Sequence, residues 1–149
     1  ALFLANDVDS KILIEEFIEG REIECAVIKD GKDVFVSGVG EILSESDFYD
    51  YDTKYNTNSK VLINPGIPKD IVESIREYAM RIFEAVGGYG LSRVDFFVKN
   101  NGQIIFNDIN TMPGFTSTSM YPLLCEAAGI SKRALIEKLI ESAFNRYKA

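Results

Sequence analysis

The chain contains no histidine and no tryptophan, and only two of its 149 residues are cysteines. The absence of histidine excludes Ser-His-Asp triads and histidine-ligated zinc. Cys25 and Cys125 match neither a zinc-binding spacing nor a disulfide framework. We therefore expect two free core thiols in a reducing compartment. No apolar run approaches the roughly 20 residues of a membrane span, so we expect a cytoplasmic protein that does not enter a membrane.

Basic residues are in the minority. The chain has 16 Lys and Arg residues and 23 Asp and Glu residues, which gives a net charge of −7, and no long basic run occurs. This balance argues against nucleic acid as a partner and suits Mg²⁺ or Mn²⁺ bound by carboxylates. The length fits one domain, or one domain plus part of another. The start "ALFLANDVDSK" lacks an initiator Met and reads like a helix end followed by a loop, so we expect the downstream part of a longer protein.

Hairpins and helices follow one another in mixed order, which predicts an α+β fold with helices packed on an antiparallel sheet. "KILIEEF" (Lys11–Phe17) is predicted to be a buried strand. Asp30-Gly31 predicts the turn of a first β-hairpin, and the strands Leu91–Val98 and Gln103–Ile109 a second. Ser44–Ser59 is a polar, tyrosine-rich loop whose aromatics favour a functional role over disorder.

Three helices are predicted in the second half. The first has Pro68 in its first turn, ends at Gly87 and buries a face of Ile71, Ile75, Ala79, Ile82, Phe83 and Val86. A short helix begins near Ser119. Ser131 caps the last helix, whose buried face is predicted to be Leu135, Leu139, Ala143 and Phe144.

Polar residues in the second hairpin need an explanation, because strand interiors disfavour Asp and Asn. If Asn101-Gly102 is a two-residue turn, Asp95 lies opposite Asp108 and Arg93 lies opposite Asn110. A four-residue loop keeps these faces, whereas a three-residue loop shifts them unless a bulge restores them. Arg93, Asp95 and Phe97 share one face, because strand side chains alternate.

Two opposed carboxylates repel each other, which favours a divalent cation between them and an anionic ligand on Arg93. The alternative is the polar, solvent-facing side of a half-exposed sheet. The next segment favours a site, since "NTMPGFTSTSM" leads into a helix whose N-terminus offers the backbone N–H groups of Thr118, Ser119 and Met120 to phosphate or carboxylate. For Ser119 alone, an ordinary N-cap remains an alternative. Adjacent metal and anion sites indicate a nucleotide or an acyl phosphate.

Four motifs occur in one order: "LIEEFIEGREIECAV", "FYDYDTKY", "GLSRVDFF" and "NDINTMPGFTSTSMYP". Together they resemble the downstream half of the D-alanine–D-alanine ligases, which are ATP-grasp enzymes. The resemblance implies ATP-dependent joining of two D-alanines for peptidoglycan, through an acyl phosphate that the second amine attacks. It also implies that residues 1–20 end the central ATP-grasp subdomain, with the adenine hinge strand, and that residues 21–149 form the C-terminal ATP-grasp domain.

The resemblance also implies roles for single residues around the nucleotide. Glu15, Phe17 and Ile18 would contact adenine and Glu22 the ribose, although Phe17 and Ile18 also suit a plain core and Glu22 a surface charge. Phe97 would lie beneath the adenine, or be a core residue. In the mobile loop, the implied roles are nucleotide packing for Phe48, phosphate binding for Lys54 and closure over D-alanine for Tyr55, whereas Tyr49 and Tyr51 are expected to anchor the loop.

At the reaction centre the resemblance makes Arg93 the residue that stabilises charge on the phosphoryl group and the tetrahedral intermediate. Asp95, Asp108 and Asn110 would hold two Mg²⁺ or Mn²⁺ ions. Gly114, Ser119 and Met120 would shape the intermediate site and bind the second D-alanine's carboxylate. The family usually carries Glu where this chain has Asp108, one methylene shorter, and we expect the site to survive the change.

The resemblance implies parts that this chain does not contain. Two lysines, a glycine-rich loop and the first D-alanine site belong to the upstream half of the same enzyme, so we expect the chain alone to form no dipeptide and to bind ATP weakly. A homodimer is compatible with the resemblance. Tyr55, where D-lactate-using relatives carry His, favours D-alanine as acceptor. Two alternatives stay open: another ATP-grasp carboxylate–amine ligase, and a nucleotide- or metal-binding module without catalysis.

Overall fold

The computed structural model of the chain describes residues 2–43 and 60–148. Five antiparallel strands form one sheet in the order β3-β2-β1-β4-β5. The strands are β1 (Arg21–Asp30), β2 (Asp33–Leu43), β3 (Lys60–Ile63), β4 (Gly90–Val98) and β5 (Ile104–Asn110), and the helices are α1 (Leu2–Asn6), α2 (Lys69–Ala85), α3 (Met120–Ala127) and α4 (Lys132–Lys148). The predicted α+β class is confirmed. The predicted loop Ser44–Ser59 lies outside the described residues.

The central strand β1 pairs with β2 on one side and β4 on the other. Every residue from Ile23 to Ile28 is buried, because helices cover both faces of the sheet at this strand. We call one side the α2 face, which carries Ile23, Cys25, Val27, Val94 and Phe96 under helix α2. The opposite side, the α3 face, carries Glu24, Ala26, Ile28, Arg93 and Asp95.

Helix α2 follows the sequence prediction closely. Pro68 occupies the N-cap position, and Ile75, Ala79 and Phe83 are fully buried against the α2 face. At the other end Gly87 adopts φ +66°, with its N–H on the Glu84 carbonyl and the Gly88 N–H on the Phe83 carbonyl. This is a Schellman motif, which requires the left-handed conformation that glycine adopts without strain. Val86 lies beyond the buried stripe and is exposed, contrary to prediction.

Helices α3 and α4 cover the part of the α3 face that Ala26 and Ile28 occupy. The hydroxyl of Tyr121 donates to the Val27 carbonyl at 3.1 Å. Ser131 caps α4 as predicted, since its Oγ accepts the Ala134 N–H at 3.2 Å. Leu135 is buried, but Ala143 is exposed and so is Phe144, because the buried position in the last turns is taken by Ser142, whose hydroxyl donates to the Lys29 carbonyl.

The predicted strand Lys11–Phe17 is wrong. Residues 11–19 have no regular secondary structure, and Leu13 and Ile14 are 79% and 76% exposed. A strand needs a hydrogen-bonding neighbour, and none of the described strands pairs with this segment. The helical start is confirmed, because α1 spans Leu2–Asn6.

Both cysteines are free and buried, as predicted. Burial raises the pKa of Cys125 to about 12, and burial together with the nearby Asp95 and Glu24 carboxylates raises the pKa of Cys25 further. Both thiols therefore stay protonated and inert near neutral pH. Within residues 2–43 and 60–148, no helix is long and apolar enough to cross a membrane.

Candidate functional site

The β4–β5 hairpin brings the predicted polar residues together. Asp95 pairs with Asp108, and Arg93 pairs with Asn110, as predicted. The predicted two-residue turn is wrong, because the Lys99 N–H bonds the Gln103 carbonyl at 2.9 Å and closes a three-residue loop. A register shift between Asp95 and Phe96 then restores the faces. The loop geometry is explained by Gly102, which takes φ +83°, and by the Asn101 side chain, which accepts the Gln103 N–H.

Arg93 and Asp95 form a two-point ion pair on the α3 face. Arg93 Nε lies 2.8 Å from Asp95 Oδ1, and Nη2 lies 2.7 Å from Oδ2. Asp95 is 3% exposed, so its charge is removed from water and depends on this guanidinium. The pairing fixes the plane of the guanidinium, which a single-point contact would not do.

A third charged residue, Glu24, joins this pair and was missed by sequence reasoning. It is 1% exposed, lies directly opposite Asp95 on β1, and places Oε2 3.2 Å from Arg93 Nε. A signal was available in "IECAV", where a carboxylate interrupts a buried apolar run, since Glu is almost never fully buried unless paired. The cross-strand register that makes Arg93 its neighbour could not be read from the sequence.

The other two predicted metal ligands lie at the edge strand. Asp108 is exposed, and Asn110 is half-buried with its Oδ1 accepting the Met112 N–H at 3.0 Å. The donors available are carboxylate and amide oxygens, the ligands that Mg²⁺ and Mn²⁺ prefer, so the chemistry of the set fits such an ion. Among the described residues, no three His, Cys, Asp or Glu side chains already stand close enough to hold a metal. Asp95 in particular is engaged by Arg93.

The start of helix α3 lies where the sequence predicted it, with Ser119 at the N-cap position. The Ser119 hydroxyl makes no cap bond and instead accepts the Thr116 N–H at 3.0 Å, while the Ser119 N–H donates to the Thr116 carbonyl. Gly114 stands against this turn, because an added Cβ would lie 2.9 Å from Ser119 Oγ. The Met120 side chain is buried against Gly40, so only the backbone of Met120 is suited to bind a ligand.

The residues predicted to contact the nucleotide separate into two groups. Glu22 and Phe97 are cross-strand neighbours on β1 and β4, next to Arg93 and Asp95 on the α3 face, and both are half-buried. Glu15 and Phe17 are exposed and Ile18 is half-buried, in the irregular segment before β1. The plain-core alternative for Phe17 is wrong, since 71% of it is exposed. Phe48, Lys54 and Tyr55, with Tyr49 and Tyr51, lie outside the described residues.

Comparison with known proteins gives a consistent match along the chain. The family model described as D-ala D-ala ligase C-terminus matches residues 1–141. The D-alanine–D-alanine ligase of Acetivibrio thermocellus is 54% identical over 149 residues, which cover 99% of this chain and 39% of that protein. The D-alanine–D-alanine ligase of Ruminiclostridium cellulolyticum is 55% identical over 152 residues, with 99% and 40% covered. The chain thus spans about two fifths of these curated relatives.

Solved structures show the same fold. The D-alanine-D-alanine ligase from Coxiella burnetii matches with a TM-score of 0.77 and 36% identity, over 90% of this chain and 34% of that one. The VanG D-Ala:D-Ser ligase from Enterococcus faecalis matches with a TM-score of 0.73 and 40% identity, over 84% and 36%. A Bacillus anthracis D-alanine–D-alanine ligase complexed with ATP is 25% identical, with a TM-score of 0.72 over 90% and 41%.

Proposed function

This chain belongs to the D-ala D-ala ligase C-terminus family, and from that premise we propose that it supplies nucleotide- and metal-binding residues to an ATP-dependent, ADP-forming ligase. The complete enzyme joins two D-alanines through a D-alanyl phosphate, for peptidoglycan precursors. Since the chain spans 39% and 40% of two relatives, the rest of the ATP site and the first D-alanine site belong to the remaining part of the protein. Residues 1–20 and 21–149 are proposed to belong to two successive ATP-grasp domains.

The observation that carries this proposal is the placement of charge on the α3 face. Asp95 and Asp108 are direct cross-strand neighbours, Arg93 lies two residues from Asp95, and Glu22 and Glu24 continue the row onto β1. Four carboxylates accompany one guanidinium along this part of strands β1, β4 and β5. Neighbouring carboxylates in a sheet repel each other, which favours the binding of cations there.

We then assign a role to each candidate site residue. Arg93 donates to the phosphoryl oxygens and the tetrahedral intermediate, on which negative charge develops. Asp95, Asp108 and the Asn110 amide oxygen hold two Mg²⁺ or Mn²⁺ ions, which neutralise and align the triphosphate. Glu22 binds the ribose, Phe97 and Ile18 line the adenine pocket with Glu15 and Phe17, and Phe48 and Lys54 complete the nucleotide site.

The acceptor is bound at the turn before α3. Gly114 leaves room for the intermediate, and the backbone at Ser119 and Met120 binds the second D-alanine's carboxylate, helped by the positive end of the α3 dipole. Tyr55 closes this pocket. A second candidate acceptor is D-serine, because a D-Ala:D-Ser ligase is 40% identical over the part it shares with this chain. D-alanine is favoured, since the more similar relatives at 54% and 55% identity are named D-alanine–D-alanine ligases.

The test uses the complete ligase with ATP and D-alanine, D-serine or D-lactate as acceptor, and measures ADP and dipeptide or ester release. We expect the D-alanine dipeptide as the main product. Asp108→Ala should lower turnover by about 100-fold or more, because a metal ligand is lost. Asp108→Glu should give turnover equal to or above that of the native enzyme.

Asp70→Ala is the matched control, because Asp70 is exposed in the first turn of α2, away from the α3 face. Its turnover should not change. Near-normal turnover of Asp108→Ala would disprove the metal assignment, and absence of any ATP-dependent product from the native enzyme would disprove the ligase. The cytoplasmic location and the homodimer stay predictions.

A further inference from the structure

Glu24 is a buried carboxylate that the proposed reaction does not yet use. It is 1% exposed in the middle of the central strand, with Ile23 and Cys25 beside it at 0%. Taking a carboxylate out of water is unfavourable unless a positive group accompanies it. Arg93 is that group, since its Nε lies 3.2 Å from Glu24 Oε2.

Arg93 is therefore held by two carboxylates, one from each of two neighbouring strands. Asp95 takes the shorter contacts, 2.8 Å to Nε and 2.7 Å to Nη2, and Glu24 takes the longer one to the same Nε. Glu24 and Asp95 lie directly opposite each other in the register of β1 and β4. The same guanidinium therefore contacts two buried carboxylates.

Asp95 is also a proposed metal ligand, so its carboxylate oxygens are needed by the cation as well as by Arg93. Asp108, its neighbour on the other side, lies on β5. Two strand spacings, about 10 Å, separate β5 from β1, so Glu24 is placed to remain with Arg93 while Asp95 turns toward Asp108. Without Glu24, Arg93 and the cation would compete for the same carboxylate.

Resting on the proposed function, we propose that Glu24 is a positioning residue: it retains the Arg93 guanidinium on the α3 face when Asp95 gives its oxygens to a divalent cation. Glu24 does not touch the cation or the substrates. Its negative charge keeps the arginine in place for the phosphoryl group and frees Asp95 for the metal.

The experiment compares the complete native ligase with Glu24→Gln, which keeps the shape and removes the charge. Mn²⁺ affinity is measured by electron paramagnetic resonance in the presence of a non-hydrolysable ATP analogue, and kcat and KM for ATP are measured at saturating Mn²⁺. We expect Mn²⁺ affinity to fall about tenfold and kcat to fall about 10- to 100-fold. The KM for ATP should change by less than about threefold, because the adenine and ribose contacts remain.

Glu41→Gln is the matched control. Glu41 is 6% exposed and takes two bonds of 2.7 Å from Arg21, but it lies on the α2 face, opposite Ile23. This variant should lower the melting temperature and leave Mn²⁺ affinity and kcat unchanged. If Glu24→Gln behaves in the same way, losing stability alone, Glu24 is a structural residue and the inference is overturned.

Glu24→Asp covers the case in which Glu24→Gln does not fold. It keeps the charge but withdraws the carboxylate by one methylene from Arg93, so kcat and Mn²⁺ affinity should fall in the same direction by a smaller factor. Native values of both in this variant would overturn the inference. Because Mn²⁺ binding is read without turnover, a failure here is distinct from a native enzyme that makes no dipeptide, which would instead overturn the ligase assignment.

Discussion

The two faces of the sheet each bury carboxylates against an arginine, but the balance of charge differs. On the α2 face one guanidinium, Arg21, meets one carboxylate, Glu41, and the other buried side chains of β1 and β4 on this face are apolar except for Ser92. On the α3 face one guanidinium, Arg93, meets two buried carboxylates, with Asp108 beside them. Buried carboxylates that lie next to each other repel, which costs stability. This difference supports the proposed cation site on the α3 face and a packing role for the α2 face.

The largest expected effect tests the packing role of the α2 face. Phe83→Ala removes a fully buried ring that packs in the core and against Gly88, so unfolding free energy should fall by about 3–5 kcal/mol. Urea unfolding of this chain measures it. Val86→Ala, at the C-cap of the same helix and 55% exposed, should change stability by less than about 0.5 kcal/mol. A loss below about 1 kcal/mol for Phe83→Ala would show that the face is loosely packed.

The second effect tests the chemical role of the α3 face. Arg93→Lys keeps the charge but loses the planar fork that binds two oxygens, so kcat of the complete ligase should fall about 100-fold with little change in the KM for ATP. Arg81→Lys, in an exposed pair with Glu77 on α2, serves as control and should be neutral. An unchanged kcat for Arg93→Lys would reduce Arg93 to a structural ion pair.

The smallest expected effect tests whether the cysteines, one on each face, are equally excluded from water. Burial raises the pKa of Cys125 from 9.0 to about 12. The unfolded thiol releases its proton above about pH 9 and the folded one does not, so its contribution is complete below pH 9 and is lost as pH rises toward 12. Urea unfolding should show a loss of about 1 kcal/mol per thiol between pH 8 and pH 10.

Cys125→Ala should remove the part of this pH dependence of the unfolding free energy that comes from the α3 face. The part that comes from Cys25 on the α2 face should remain. If the unfolding free energy depends on pH in the same way in the native protein and in both single Cys→Ala variants, the burial of these thiols is contradicted. Peptide-level alkylation at pH 8 gives an independent check, because neither cysteine should react until the protein unfolds.

Local patterns predicted much of this fold. The apolar stripe and the terminal glycine of α2, the Ser131 cap, and the alternation that places Arg93 with Asp95 are each readable within a few residues of sequence. The cross-strand pairing of Asp95 with Asp108 was also accessible, although the actual loop has three residues and relies on a bulge. Two compensating changes, in loop length and in register, left the faces as predicted.

The predictions that were wrong or absent concern contacts between residues that are distant in the sequence. Nothing local shows that β1 lies between β2 and β4, so the contact of Glu24 with Arg93 could not be predicted. The segment Lys11–Phe17 has the composition of a strand, yet no described strand offers it an edge. Phe144 was predicted on the buried face of α4, but that face continues through Ser142, and Phe144 is 63% exposed. The sequence pattern of a helix or strand predicts which side chains can be buried. Which of them are buried depends on the tertiary arrangement.

Anomalous diffraction tests the central claim most directly, from crystals of the complete ligase grown with Mn²⁺ and a non-hydrolysable ATP analogue. The ion positions are compared with the Asp95–Asp108 pair of the β4–β5 hairpin. A manganese peak about 2 Å from carboxylate oxygens of both Asp108 and Asp95, with Arg93 still beside Glu24, is the expected result. Manganese bound only by other residues, with Asp95 still closed on Arg93, would contradict the assignment of this face as the metal site.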